Sequence, residues 1–218
     1  MSSPIGTVER AAVLPRGPHK LSPQDVASSQ RERILAAVID AVAEKGYVHT
    51  SVADILKRAG VSRVTFYQQF TDKEDCFVTA FESRSGLLAD VLEAVSAEFV
   101  AEPGAGPLAR IDRILQTYLA ILQAEPASAK ALLIDVYAAG PRAIEHRNRS
   151  MAQFVDVLTG ALDASNLSVL RAEDRQLAAQ VLVGAVSSMV TGLIGADAID
   201  RLTELRSPLV SLLERLLP

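Results

Sequence analysis

The chain has one cysteine, Cys76, no tryptophan, and aromatic residues at only 5% of its 218 positions. A single cysteine excludes an intramolecular disulfide framework and any CxxC metal pair. The three histidines, His19, His49 and His146, are far apart, and no HExxH or paired ExxH pattern accompanies them. A zinc or di-iron site is therefore not expected, nor is any cofactor. A Gly-rich phosphate loop and a GxSxG elbow are also missing. With no convergent catalytic spacing in view, an enzyme is not expected. No alternating apolar–polar run is long enough to build a sheet. The first residues lack the charged-then-apolar order of a secretory signal, so a cytoplasmic protein is expected.

What is abundant points one way. Ala (33) and Leu (27) fill more than a quarter of the chain, and hydrophobic residues reach 49%. Both are good helix formers, whereas strands favour β-branched and aromatic residues. The expected fold class is all-α. The net charge of −4 argues against a basic coat for indiscriminate nucleic-acid binding. The acid excess is uneven, however. Residues 28–85 carry eight basic and eight acidic side chains, and residues 86–218 carry 11 against 16.

Residues 1–27 contain Pro4, Pro15, Pro18 and Pro23 and no helical period, which reads as a mobile arm. Its Arg10, Arg16 and Lys20 would suit a DNA backbone or minor groove. Ser29-Gln30-Arg31-Glu32 has the form of a capping box, and Ile34, Leu35, Val38, Ile39 and Val42 then mark one face of a first helix ending at Gly46. Thr50 or Ser51 caps a short second helix that stops at Ala59-Gly60. Ser62 caps a third that runs through about Phe70. Thr71-Asp72-Lys73-Glu74 reads as a further capping box, opening a long fourth helix with Phe77, Phe81, Leu88, Val91, Leu92, Val95 and Phe99 on one side. After the linker Pro103-Gly104-Ala105-Gly106-Pro107, helices are expected near 108–124, 126–139, 141–164, 171–198 and 201–217.

Two short helices joined by a Gly-containing turn have the layout of a helix-turn-helix. Packing their apolar sides on the first helix leaves the polar face of the third helix free, with Arg63, Thr65, Gln68 and Gln69. Arg suits guanine, Gln suits adenine, and Thr a methyl group or phosphate. The wider string is Thr50-Ser51-Val52-x-x-Ile55, then Ala59-Gly60-Val61-Ser62-Arg63-x-Thr65-Phe66-Tyr67-x-x-Phe70, then Lys73-Glu74. It resembles the TetR family of bacterial transcriptional regulators over about residues 29–82. The family often has a small residue after the Ser-Arg pair, where this chain has Val64. It often has a histidine before the last Phe, where this chain has Gln69.

The resemblance implies a helix-turn-helix unit over 28–75 and a larger helical effector-binding and dimerisation unit over 76–218. It implies a homodimeric, ligand-responsive regulator, more in the manner of a repressor, on a palindromic double-stranded DNA operator. The expected DNA contacts are Thr50, Ser51, Ser62, Arg63, Thr65, Tyr67, Gln68, Gln69 and Lys73. Arg31 and Arg33 are candidates for further backbone contacts. Tyr67 looks like the family's phosphate-contacting tyrosine. Thr50 and Ser51 open a helix whose free N–H groups welcome an anion, and Lys73 opens another, where a cation is mildly unfavourable unless a phosphate is near. A helical-bundle enzyme and a protein-interaction module without DNA binding are the alternatives.

In the larger part, Gln176–Ala196 is 21 residues without a charge, long enough to span a membrane. Its Gln, Ser and Thr residues and the absence of a basic flank or aromatic belt argue for a helix buried on nearly all sides instead. Gly184, Ser188, Gly192 and Ala196 form a small-residue ridge, and Leu205, Leu209 and Leu212 lie on the last helix. The resemblance makes these a dimer interface. Tyr118, Asp135, Tyr137, Met151, Phe154 and Met189 are the candidate lining of an effector cavity. Asp135 stands among apolar residues and needs a partner, expected to be Arg142, Arg147 or Arg149.

Overall fold

The computed structural model describes residues 22–98, 106–163 and 172–216, and among these the chain forms helices and no strand. The basic residues expected in the arm, Phe99, most of the expected linker and the break at Ser165-Asn166 lie outside the described residues.

The first helix, α1 (Pro23–Lys45), starts seven residues earlier than its Ser29 box suggested. Ser22 is the N-cap: its side chain accepts from Asp25 N, Asp25 reaches back, and Pro23 fills the first turn. The same pattern recurs at Ser29, but a helix already propagating costs little to continue. The Ser29 box is therefore interior. Then follow α2 (Val52–Ala59), capped by Ser51, and α3 (Arg63–Tyr67), capped by Ser62. Between them Gly60 adopts φ +64°, a left-handed turn that a side chain would strain. The third helix is shorter than expected, ending before Phe70.

The long α4 (Lys73–Glu98) is also capped differently from the sequence expectation. Asp72 Oδ1 accepts from Asp75 N at 2.8 Å, and Asp75 accepts from Thr71 N at 2.9 Å. Thr71 and Glu74 do not form the box. Glu74 instead turns toward Gly140, where a Cβ would stand 3.2 Å from its Oε1.

Beyond it lie α5 (Pro107–Ala124), α6 (Pro126–Leu133), a 3₁₀ turn (Asp135–Ala138), α7 (Pro141–Asp163), α8 (Ala172–Gly195), a second 3₁₀ turn (Ile199–Leu205) and α9 (Arg206–Leu216). The head and body are not separated by a gap. One apolar cluster joins Ile34, Val38, Ile55, Phe66 and Phe70 of the head, through Phe77 of α4, to Ala131, Val136 and Ala143 of the body. Two further clusters fill the body. One joins α5, α8 and α9, and the other joins α4, α5, α7 and α8. The α4–α7 contact also holds a buried hydroxyl pair, Ser150 donating to Ser85 at 3.1 Å. Arg206 grips Asp112 with two 2.6 Å hydrogen bonds and ties α9 to α5.

Candidate nucleic-acid interface and internal cavity

Burial sorts the expected DNA contacts into two groups. Phe66 is fully buried beneath α3, which fixes the opposite side outward. There Arg63, Val64, Tyr67 and Gln68 are exposed. The Arg63 guanidinium lies over the Tyr67 ring at 5.6 Å, so the cation and the phenol are presented together. Val64 is 68% exposed. A branched apolar side chain on this face can contact a thymine methyl. Ser62 and Thr65 share a 2.9 Å hydroxyl contact, and Ser62 Oγ also accepts from Thr65 N. Ser51 remains at the surface as the α2 cap, exchanging hydrogen bonds with Asp54. Asp54 is held below the usual carboxylate range by the hydrogen bonds of Lys45 and Ser51.

Three expected contacts face inward. Thr50 is 2% exposed, and its hydroxyl donates to the carbonyls of Gly46 and Ala41. Lys73 donates to the carbonyls of Tyr47 at 2.8 Å and Thr50 at 2.9 Å, with its ammonium 4.0 Å from the Tyr47 ring centroid. Burial draws its pKa below that of an ordinary lysine. It stitches the loop before α2 to α4 and so offsets the cost of a cation at a helix start. Gln69 is half-buried and reaches the Ala27 carbonyl of α1. The two arginines of α1 are likewise used internally: Arg31 donates to Gln69 O and covers the Phe70 ring, and Arg33 donates to Ala59 O. Backbone carbonyls distant in sequence leave no motif, so these roles were not legible. Val48 and His49, beside α2, are exposed as well.

The body holds a partly open cavity of about 70 Å³, bounded by α4, α5, α7 and α8. Of the expected lining, Tyr118, Met151 and Phe154 are present, and Tyr118 packs against Phe154 with ring centroids 6.3 Å apart. Burial pushes the Tyr118 hydroxyl up to about 12. Leu92, Ile114, Leu182 and Ser187 belong to the wall as well. Three expected residues do not. Met189 is exposed, because α8 turns Leu182, Val183, Val186 and Ser187 inward and leaves Met189 outside. Tyr137 is exposed beneath the Arg147 guanidinium. Asp135 belongs to the joint between head and body: its Oδ1 accepts from Tyr47 N at 3.2 Å, while Oδ2 is buried without a partner. Burial raises its pKa. None of the three expected arginines pairs with it. Arg142 faces Asp75, Arg149 faces Glu145, and Arg147 donates to Ser187.

Residues 34–80 match the family described as bacterial regulatory proteins, tetR family. The chain belongs to the TetR family. A fatty acid metabolism regulator protein of Bacillus subtilis is 23% identical over 183 residues, covering 83% of this chain and 92% of the relative. An uncharacterized HTH-type regulator of the same organism, YvdT, is 44% identical over 46 residues, which are 21% of this chain and 24% of that one. Among solved structures, the regulator FadR of B. subtilis in complex with stearoyl-CoA superimposes with a TM-score of 0.72 at 23% identity, covering 83% and 96% of the two chains. FadR of Bacillus halodurans gives 0.71 at 22% identity, covering 84% and 96%. The TetR-family fold therefore extends through the body as well as the head.

The candidate dimer residues of this TetR-family chain fall on two sides. Leu209 is buried in the cluster between α5 and α8, and Leu205 is half-buried against it. Leu212 is exposed. On α8, 28% of the apolar stretch is buried within the single subunit. By length and composition this helix could cross a membrane. Its outward side shows Leu177, Val181, Gly184, Ser188, Met189 and Gly192. A Cβ added at Gly184 or Gly192 would meet nothing within 4 Å.

Proposed function

We propose that this regulator is a homodimeric repressor in the cytoplasm whose α3 helices read a palindromic operator, and that a long-chain acyl compound releases it. The observation that carries this reading is the position of the cavity. Leu92, in its wall, belongs to the same α4 helix whose first turn, at Lys73, is bonded into the head. A ligand that wedges between α4 and α7 acts on a lever joined to the recognition helix. Release requires that the ligand bind the DNA-incompetent arrangement better than the competent one.

The apolar lining supports an apolar effector. The similarity to a fatty acid metabolism regulator, and to a structure holding stearoyl-CoA, supports an acyl chain as that effector. Gly184 and Gly192, which nothing inside the subunit requires, support close approach of a second α8. Paired heads would then meet successive major grooves about one helical turn apart.

The test is a mobility-shift titration of the full chain on the DNA flanking its own coding region, with and without palmitoyl-CoA or palmitate. A specific complex that dissociates on ligand addition supports the reading. A complex that persists while calorimetry shows the ligand bound contradicts it.

A further inference from the structure

The cavity has a polar end. Apart from Tyr118 and Ser187 its lining is apolar and carries no charge. Both of those residues lie near Arg147 of α7, just behind the wall. Arg147 donates to Ser187 Oγ at 3.3 Å. Its charge also reaches Tyr118, where it opposes the effect of burial on the hydroxyl.

Arg147 is under-used as it stands. Arg142 and Arg149 on the same helix, and Arg84, Arg201 and Arg206 elsewhere, each face a carboxylate. Among the described residues no carboxylate lies within ion-pair distance of Arg147. Its partners are a neutral hydroxyl at a long distance and the face of Tyr137 at 4.9 Å. Its Nε is buried with no hydrogen-bond partner. A guanidinium presents five donors in a fork that matches two oxygens of one anion. A half-buried cation whose Nε is buried and unpartnered, beside an apolar cavity, is an incomplete site.

We infer that Arg147 is the head-group residue of the effector site, taking the anionic head of an amphiphile whose apolar tail fills the cavity. This rests on the acyl-effector reading above and makes it more specific. The head is the carboxylate of a free fatty acid, which sits directly on the tail; in an acyl thioester of coenzyme A the group at that place is the thioester carbonyl, with the phosphates a pantetheine arm further out. In either case Ser187 and Tyr118 offer hydroxyls to oxygens near the tail's polar end. Drawing Arg147 toward the head loosens its hold on Tyr137. That residue lies in the 3₁₀ turn whose Asp135 holds Tyr47 of the head.

The test is calorimetric binding of palmitate, palmitoyl-CoA and uncharged 1-hexadecanol to the full chain, each presented from cyclodextrin. The parent protein should prefer at least one anion over the alcohol by about tenfold or more, the scale of a charge-assisted hydrogen bond. The preferred anion names the source. Arg147→Gln should erase the preference and leave alcohol binding unchanged, whereas Arg149→Gln should keep it. If Arg147→Gln does not fold, Arg147→Lys must weaken anion binding and not alcohol binding. Equal loss of acid and alcohol in the Arg147 variant, or an intact preference, overturns the assignment. A parent that binds all three alike overturns it too, and leaves the acyl reading standing. A parent that binds none overturns both.

Discussion

Lys73 decides between two physical pictures of the head. One makes it a phosphate contact. The structure makes it an internal clasp, with its ammonium on two carbonyls at 2.8 and 2.9 Å and over a tyrosine ring. Lys73→Met keeps most of the stem and removes the charge. A hydrogen bond from a charged group is worth about 1.5 kcal/mol at the low end, so losing two costs about 3 kcal/mol. For a chain of this size each kcal/mol moves Tm by about 2–4 °C, giving a drop of about 6–12 °C by calorimetry. The salt dependence of operator binding supplies the second readout. A lost phosphate contact reduces the slope of log K against log salt by about 0.9. A lost clasp leaves that slope unchanged. An unchanged Tm together with a slope reduced by about one unit would refute the clasp.

Other consequences follow from the same geometry. Asp135→Asn keeps an oxygen for Tyr47 N and removes a buried charge, so its Tm at pH 7 should equal or exceed the parent's. Asp135→Ala leaves that N–H unpaired and should cost about 1–3 kcal/mol by urea unfolding. Because burial raises the folded pKa of Asp135 above 3.8, its contribution is most favourable at low pH and is lost as pH rises through that folded pKa. The parent-minus-Asp135→Asn difference should therefore shrink as the pH is lowered toward 4. Cys76 is fully buried and its thiol is pushed up to about 12 by burial, so a thiol reagent at pH 8 should label it only on unfolding. Rapid native labelling would contradict its place in the core. Val181, 63% exposed on α8, should tolerate Glu within a folded subunit, and sedimentation of Val181→Glu should show a monomer. A stable dimer would remove α8 from the interface.

The head was legible because its signals are local. Ser51, Ser62 and the Gly60 turn each act within a few residues, and Phe66 and Phe70 are spaced to meet α1. The start of α1 was misjudged because two capping boxes stand seven residues apart, and only Pro23 in the first turn favours the earlier one. The internal bonds of Lys73 and Thr50 were not legible for a different reason. Both bond to carbonyls of loops, and a carbonyl has no sequence identity. In the body, periodicity marked the apolar sides of α8 and α9 and could not say which neighbour covers each. Leu205 and Leu209 went inward, while Leu177 and Val181 stayed out. Asp135 was rightly read as needing a partner, but its acceptor role toward a backbone N–H cannot be seen in residue types.

The internal stitching of the head has one more consequence. Lys73 fastens the loop before α2, Arg33 closes the end of α2, and Arg31 closes the segment after α3. The recognition surface thus has no hinge of its own. In the proposed dimer, an effector acting from the body would tilt or separate the two heads as intact blocks and would not reshuffle which bases they favour. Induction then becomes a matter of phase along the double helix. An operator whose half-sites are respaced to suit the ligand-bound dimer would turn the same molecule into one that binds DNA only when its ligand is present.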